Sequence, residues 1–338
     1  MKSRFLTIPA IIASAALALS GCASDGDDPG EGEPDLSIRI IGIGTPDFSA
    51  VDVAKWQLNL EEAGFTVDFK SVEEEDAALR AVVAGAADMY IGSLPSVVTA
   101  VKNTSAQVEV IAVNAQATDY VILAENSVGS IDDLAGKIIG VNTPGSSGDT
   151  IMKLALEAEG FDIDSPEYVV IGGTGARVAA LQAGQIQATV AHLVSAEAAI
   201  QTGNFKALLY CGPALGPYAQ TGLIASSKYG EENPEAAQLA VDALLDALRW
   251  AATDKAGYIE LSQEIDKESS DELRDSAYDQ FNDIEFFAVN GGLGGDLIDN
   301  WIKTSIAAGD FIADEMPEKS EWINDSFVND YLDRNGTL

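Results

Sequence analysis

The residues best placed to do chemistry stand in short polar loops between apolar runs and helical stretches. NTPGSSGDTIM, from Asn142, directly follows the apolar run KIIGV. Ser146 and Ser147 open a helical pattern there, and the first N–H groups of a helix lack internal partners. Such a terminus can hold the polar or anionic end of a small molecule, or the serine can simply cap its own helix. Asp149, in the same turn, either offsets the helix charge or holds a ligand amine.

Three enzyme patterns fail on the same loops. A dinucleotide fingerprint breaks because Asp47 stands where Gly42-Ile43-Gly44 needs its third glycine. PGSSGDT lacks the lysine of a P-loop. Gly145-Ser146-Ser147-Gly148 is followed by Asp149, so it is no G-x-S-x-G elbow. A single His and two Cys exclude the usual multi-His zinc sites, and neither a metal nor a cofactor is expected. A Ser–His–Asp triad would have to use His192 with no elbow to carry its serine. His192 otherwise reads as a hydrogen-bonding pocket residue or a packed strand end.

The elements that position these loops are duplicated. IGIGTPDFSAVDVAKWQLNLEEAGF, from Ile41, resembles IGVNTPGSSGDTIMKLALEAEGF, from Ile139. ALRAVVAGAADMYIGSL, from Ala78, parallels ARVAALQAGQIQATVAHL, from Ala176. Each copy reads as a strand, a turn, and a helix closed by glycine, then a second helix stopped at Gly85 or Gly184 before another strand. Strands alternating with such helices predict two α/β lobes with mostly parallel sheets.

Ligands of open α/β sheets sit beyond the carboxyl ends of the strands. That rule selects Thr45, Pro46, Asp47 and Phe48 in one loop, and Ser93 and Leu94 in another. In the second copy it selects Thr143 to Thr150, Thr174 and His192, with His192 matching Ser93 by the repeat. Tyr218 and Phe48 are the aromatics nearest these loops. Arg177 is expected to face a carbonyl or carboxylate rather than the ligand, Cys211 to be a small buried residue, and the EEED run at 73–76 to be a solvated helix start. From Asn233, a helix N-cap followed by Pro234, the chain turns long-helical. Its later helices are expected to pack back on the first lobe.

The formal charge of −35 on 338 residues argues against nucleic acid or an anionic membrane surface as partner. Lys2 and Arg4, the apolar stretch from Phe5 to Leu19, and Leu19-Ser20-Gly21-Cys22 look like a bacterial lipoprotein signal with Cys22 as the acylated residue. The following ASDGDDPGEGEPD is acidic and has no apolar content, as a solvated tether would. These features predict export and anchoring at the outer face of a membrane.

SIDDLAGKIIGVNTPGSSGDTIMKLALEAEGFDID and VIGGTGARVAALQAGQIQATVAH resemble the substrate-binding proteins of ABC importers of the nitrate/sulfonate/taurine type. That group includes binders of thiamine precursors. The resemblance implies a two-lobed periplasmic-binding-protein fold of type II, with two hinge crossings near Thr118–Leu123 and Gln220–Ala225. The implied divisions are a signal at 1–21, a tether at 22–36, lobe 1 at 37–122 and 224–338, and lobe 2 at 123–223. It further implies a non-catalytic, monomeric receptor that delivers a small polar organic molecule to an importer's permease. Thr45, Asp47, Ser93, Ser146, Ser147, Thr174 and His192 carry over as ligand contacts, with Asn114 and Asp119 as additions. Because cations are few and Asp47, Asp119 and Asp149 are near, a zwitterion such as an aminosulfonate is the favoured ligand, beside amidines, pyrimidines or neutral organic molecules. An exported hydrolase or transferase using His192, and a sensor subunit reporting ligand to a partner, are the competing readings.

Overall fold

The computed structural model describes residues 36–43, 50–72, 75–144 and 146–338. The expected signal, Cys22 and the tether up to Asp35 lie outside them, as do Thr45, Pro46, Asp47 and Phe48.

Apolar runs rich in β-branched residues form the strands, and helices connect them. The first set is β1 (Ser37–Ile43), α1 (Val51–Glu62), β2 (Thr66–Val72), α2 (Glu75–Val83), β3 (Met89–Ser93), α3 (Leu94–Thr104) and β4 (Val108–Ala115). The chain then passes through residues 116–119 into β5 (Tyr120–Glu125), β6 (Ile138–Val141), α4 (Ser147–Ala158) and β7 (Glu167–Val170). That set continues with α5 (Thr174–Gln182), β8 (Ala188–His192), α6 (Leu193–Ile200), β9 (Phe205–Tyr210) and α7 (Cys211–Leu215). Residues 216–220 lead back to β10 (Thr221–Ser226). Helices α8 (Ser227–Glu232), α9 (Pro234–Thr253), α10 (Lys255–Ile265), α11 (Asp271–Asp283), α12 (Asp296–Ala307) and α13 (Ser326–Asn335) complete the chain.

Among the described residues two five-stranded sheets form, ordered β2-β1-β3-β10-β4 and β7-β6-β8-β5-β9. The two orders are the same once each strand is matched to its counterpart, so the sequence repeat is a repeat of topology. β1 runs parallel to β2 and β3, and β6 to β7 and β8. β10 is antiparallel to both its neighbours, and so is β5. The sheets are therefore mixed, each with a single reversed strand. That strand is the one arriving from the other sheet. It enters at the carboxyl edge, where the βαβ strands end, and must run the opposite way.

The expected helix stops hold: Gly64 (φ 93°), Gly85 (φ 69°), Gly160 (φ 81°) and Gly184 (φ 68°) all adopt left-handed backbone, which glycine enters without a Cβ clash. Helix α9 docks on α1 along a stretch that includes Ala240 and Ala243. Small side chains let the backbones approach closely, and Trp56 Nε1 donates to the Ala240 carbonyl at 3.0 Å while Asn59 Nδ2 donates to Ala243 at 2.9 Å. Cys211 is fully buried, and burial pushes its thiol up to about 12.

One packing expectation needs correction. Helices α9, α10 and α13 do return to the first sheet and its helices, but α11 packs on α6 beside the second. Ser276 Oγ donates to Glu197 Oε2 at 2.7 Å, and the Tyr210 hydroxyl donates to Glu197 Oε1 at 2.9 Å. A buried carboxylate needs such donors, and α11 brings one of them across. No helix among the described residues is long and apolar enough to cross a membrane.

Candidate functional site

A cleft of about 680 Å³ opens where the carboxyl ends of the two sheets face each other. From the first side it is lined by the start of α1 (Ala50, Asp52, Val53), Glu75 at the start of α2, Ser93 at the end of β3 and Asn114 near the end of β4. From the second side come Tyr120, Ser147, Thr150, Ile151 and His192. The crossings contribute Asp119, Tyr218 and Gln220, and the C-terminal segment contributes Phe281, Phe286, Asp310 and Phe311.

The repeat places Ser93 and His192 equivalently, each as the N-cap residue of the helix that follows its strand. Ser93 donates its backbone N–H to Glu75 Oε1 at 2.6 Å and its hydroxyl to the same oxygen at 2.8 Å. Glu75 is therefore a cleft residue bound into the wall, and not merely the solvated helix start expected of that acidic run.

On the other side, the β5–β8 register sets Tyr120 opposite His192, and their rings lie 4.4 Å apart between centroids. Asp119 accepts from His192 Nδ1 at 3.0 Å and from Gln220 Nε2 at 2.9 Å. The Asp119 backbone N–H donates in turn to Gln220 Oε1 at 3.2 Å, so the two crossings are tied to each other. Burial alone would lift the Asp119 carboxyl. Attraction to His192 and the hydrogen bonds from His192 and Gln220 outweigh it and hold the group below the usual carboxylate range.

Asp52 has the opposite environment. It is 2% exposed in the first turn of α1, and burial pushes its carboxyl up to about 6 against a weak bond from Asn114 Nδ2 at 3.4 Å. Asp310 is likewise raised by burial.

Four other expected contacts stand away from the cleft lining. Leu94 is a fully buried core residue. Ser146 is the N-cap of α4, one residue ahead of the Ser147 that does line the cleft. Asp149 is buried and paired with Lys153 at 2.9 Å, which follows from their i,i+4 spacing. Thr174 Oγ1 accepts from Arg177 at 3.1 Å. Arg177 faces carbonyls as expected, donating to Val190 at 3.0 Å and to Gly172.

Asp52, Glu75, Gln220, Asp310 and the three phenylalanines Phe281, Phe286 and Phe311 were not foreseen as cleft residues. An Asp in a first helical turn reads as ordinary dipole compensation, and the phenylalanines lie far along the chain. No lysine or arginine lines the cleft among the described residues, which leaves His192 as its base beside four carboxyl groups. No group of three or more His, Cys, Asp or Glu among the described residues is arranged to hold a metal ion.

Comparisons extend this picture. A family model described as NMT1/THI5 like matches residues 45–256. No curated protein sequence matches the chain. Among solved structures, the periplasmic aliphatic sulphonate binding protein of Escherichia coli is similar at a TM-score of 0.65 and 17% identity, over 85% of this chain and 90% of that one. The alkanesulfonate-binding protein of Xanthomonas axonopodis bound to MOPS is similar at a TM-score of 0.64 and 16% identity, over 87% of this chain and 100% of that one. The desulfurization enzyme DSZB is also similar, at a TM-score of 0.64 and 17% identity, over 88% of this chain and 99% of that one. The two-lobed binding-protein fold is thus shared with receptors and with an enzyme.

Proposed function

The chain belongs to the NMT1/THI5-like family, and from that premise we propose that it is an exported solute receptor that delivers a small polar organic molecule to an ABC importer. The observation that carries this reading is the cleft itself, lined from both sheets and flanked by both crossings. A ligand seated there touches both halves at once. Its binding would favour a closed arrangement through differential contact, with residues 116–119 and 216–220 as the hinge. Cys22 would hold the receptor at the membrane.

For the ligand, the start of α4 offers Ser147 and the positive end of the helix to an anionic end, as a sulfonate would present. The carboxyl groups across the cleft suit an amine at the other end. The Xanthomonas protein's ligand, MOPS, combines a sulfonate with a basic nitrogen. An aminosulfonate or a related zwitterion therefore fits this cleft better than nitrate or a simple sulfonate.

A second reading has one observation in its favour. The Asp119–His192 pair orients the imidazole as a general base requires, and one protein of this fold is an enzyme. The test is native mass spectrometry of the purified chain, followed by titration with taurine and related compounds. A discrete added mass lost on denaturation supports the receptor. Turnover of a substrate panel without a stable complex, abolished by His192→Ala, would overturn it in favour of the enzyme.

A further inference from the structure

We propose that the Asp52–Asn114 corner of the cleft is a subsite for a cationic, N–H-bearing head group: an ammonium, amidinium or guanidinium. This deepens the receptor reading and rests on it. Asn114 is 5% exposed and lines the cleft, yet its Oδ1 has no hydrogen-bond partner among the described residues. A buried acceptor left unpaired is costly, and a donor on the ligand would remove that cost. The orientation of the amide follows from its neighbour. An ionised Asp52 can only accept, so Asn114 turns its Nδ2 hydrogens toward Asp52 Oδ2 and leaves Oδ1 as the open acceptor.

Asn114 Oδ1 and the Asp52 carboxylate both ask for a donor. Asp52 stands in the first turn of α1, so the positive end of that helix already faces a carboxylate and is a poor seat for an anion. Glu75 and Asp310 add to the same sign of field, and His192, on the opposite side, is held by Asp119. Residues 44–49, 73–74 and 145 contain no lysine or arginine that could reverse it. Phe281 and Phe286, with ring centroids 4.8 Å apart, give the body of the ligand an apolar wall. Among the described residues, an anionic head group at this point would meet the Asn114 Oδ1 lone pairs and the Asp52 carboxylate.

The test is calorimetric titration of the full-length chain with two matched pairs: taurine against isethionate, and butylammonium against butanesulfonate. The amine of each pair should bind and its partner should not. Asp52→Asn, which keeps the shape of the side chain, should weaken amine binding by about tenfold or more, the scale of one charge-assisted hydrogen bond. Asn114→Ala should do the same, with circular dichroism checking that it folds. Binding of isethionate or butanesulfonate as tightly as the amines, unchanged affinity in Asp52→Asn, or silence from all four probes would each overturn the subsite. A ligand without any basic nitrogen found on the purified protein by native mass spectrometry would overturn the subsite while leaving the receptor standing.

Discussion

Asp52→Asn should make the unliganded protein more stable while weakening its ligand binding, and the size of the gain can be worked from the structure. Burial raises the Asp52 carboxyl from 3.8 to about 6. Each tenfold change in proton affinity is worth about 1.36 kcal/mol, so keeping the group ionised in the folded state costs about 3 kcal/mol. Between the unfolded and folded values the native state binds the extra proton, so this one group lowers stability as pH rises through that window. Above about 6 the penalty is complete, and below 3.8 it is absent because both states are protonated. Asparagine keeps the volume and removes the charge. Urea unfolding followed by tryptophan fluorescence can read the difference, since Trp56, Trp301 and Trp322 are fully buried. At about pH 7.5 the variant should exceed the parent by about 3 kcal/mol, and the gap should close on acidification to about pH 4. Other carboxylates titrate equally in both proteins and cancel. No gain at neutral pH, or a gain that persists in acid, would refute the assignment of Asp52 as a buried, charge-penalised carboxylate. A gain in stability together with lost binding is the trade expected of a site kept for function.

Two further outcomes follow from the same geometry. Arg177→Ala leaves the Gly172 and Val190 carbonyls without their guanidinium donors and should destabilise the fold by about 2–4 kcal/mol in urea unfolding. Ligand affinity per folded molecule should stay unchanged, because Arg177 does not line the cleft. His192→Ala should raise the Asp119 carboxyl toward its unfolded value. The stability that Asp119 contributes is present above that unfolded value and lost as pH falls through its depressed one, so this acid-side loss should shift to higher pH, as carboxylate-detected NMR would register. An unmoved Asp119 titration would mean that Gln220, and not His192, holds the charge.

Much of the fold is legible because its signals are local. The glycines after each helix and the Asn233-Pro234 start of α9 follow from nearest-neighbour backbone preferences, and the resemblance of the stretches from Ile41 and Ile139 is written in residue order. The repeat then tells which strand ends correspond, and so pairs Ser93 with His192 from the order of residues alone. Other features have no local mark. Gln220 is a plain polar residue until the second crossing sets it against Asp119. Asp52 and Glu75 look like routine helix-start acids, and only burial and the fold over them make one a strained carboxylate and the other a wall of the cleft. Asp149 carries the same chemistry as Asp52 in the matching helix, yet a lysine one turn later engages it. The sequence alone therefore determined the two repeated α/β units and the loops from which a site could be built. Which of those side chains reach the cleft, and with what charge, was decided by the reversed strands, by the C-terminal return that brings Phe281, Phe286 and Asp310, and by burial. Those depend on contacts between residues far apart in the chain, which no periodicity encodes.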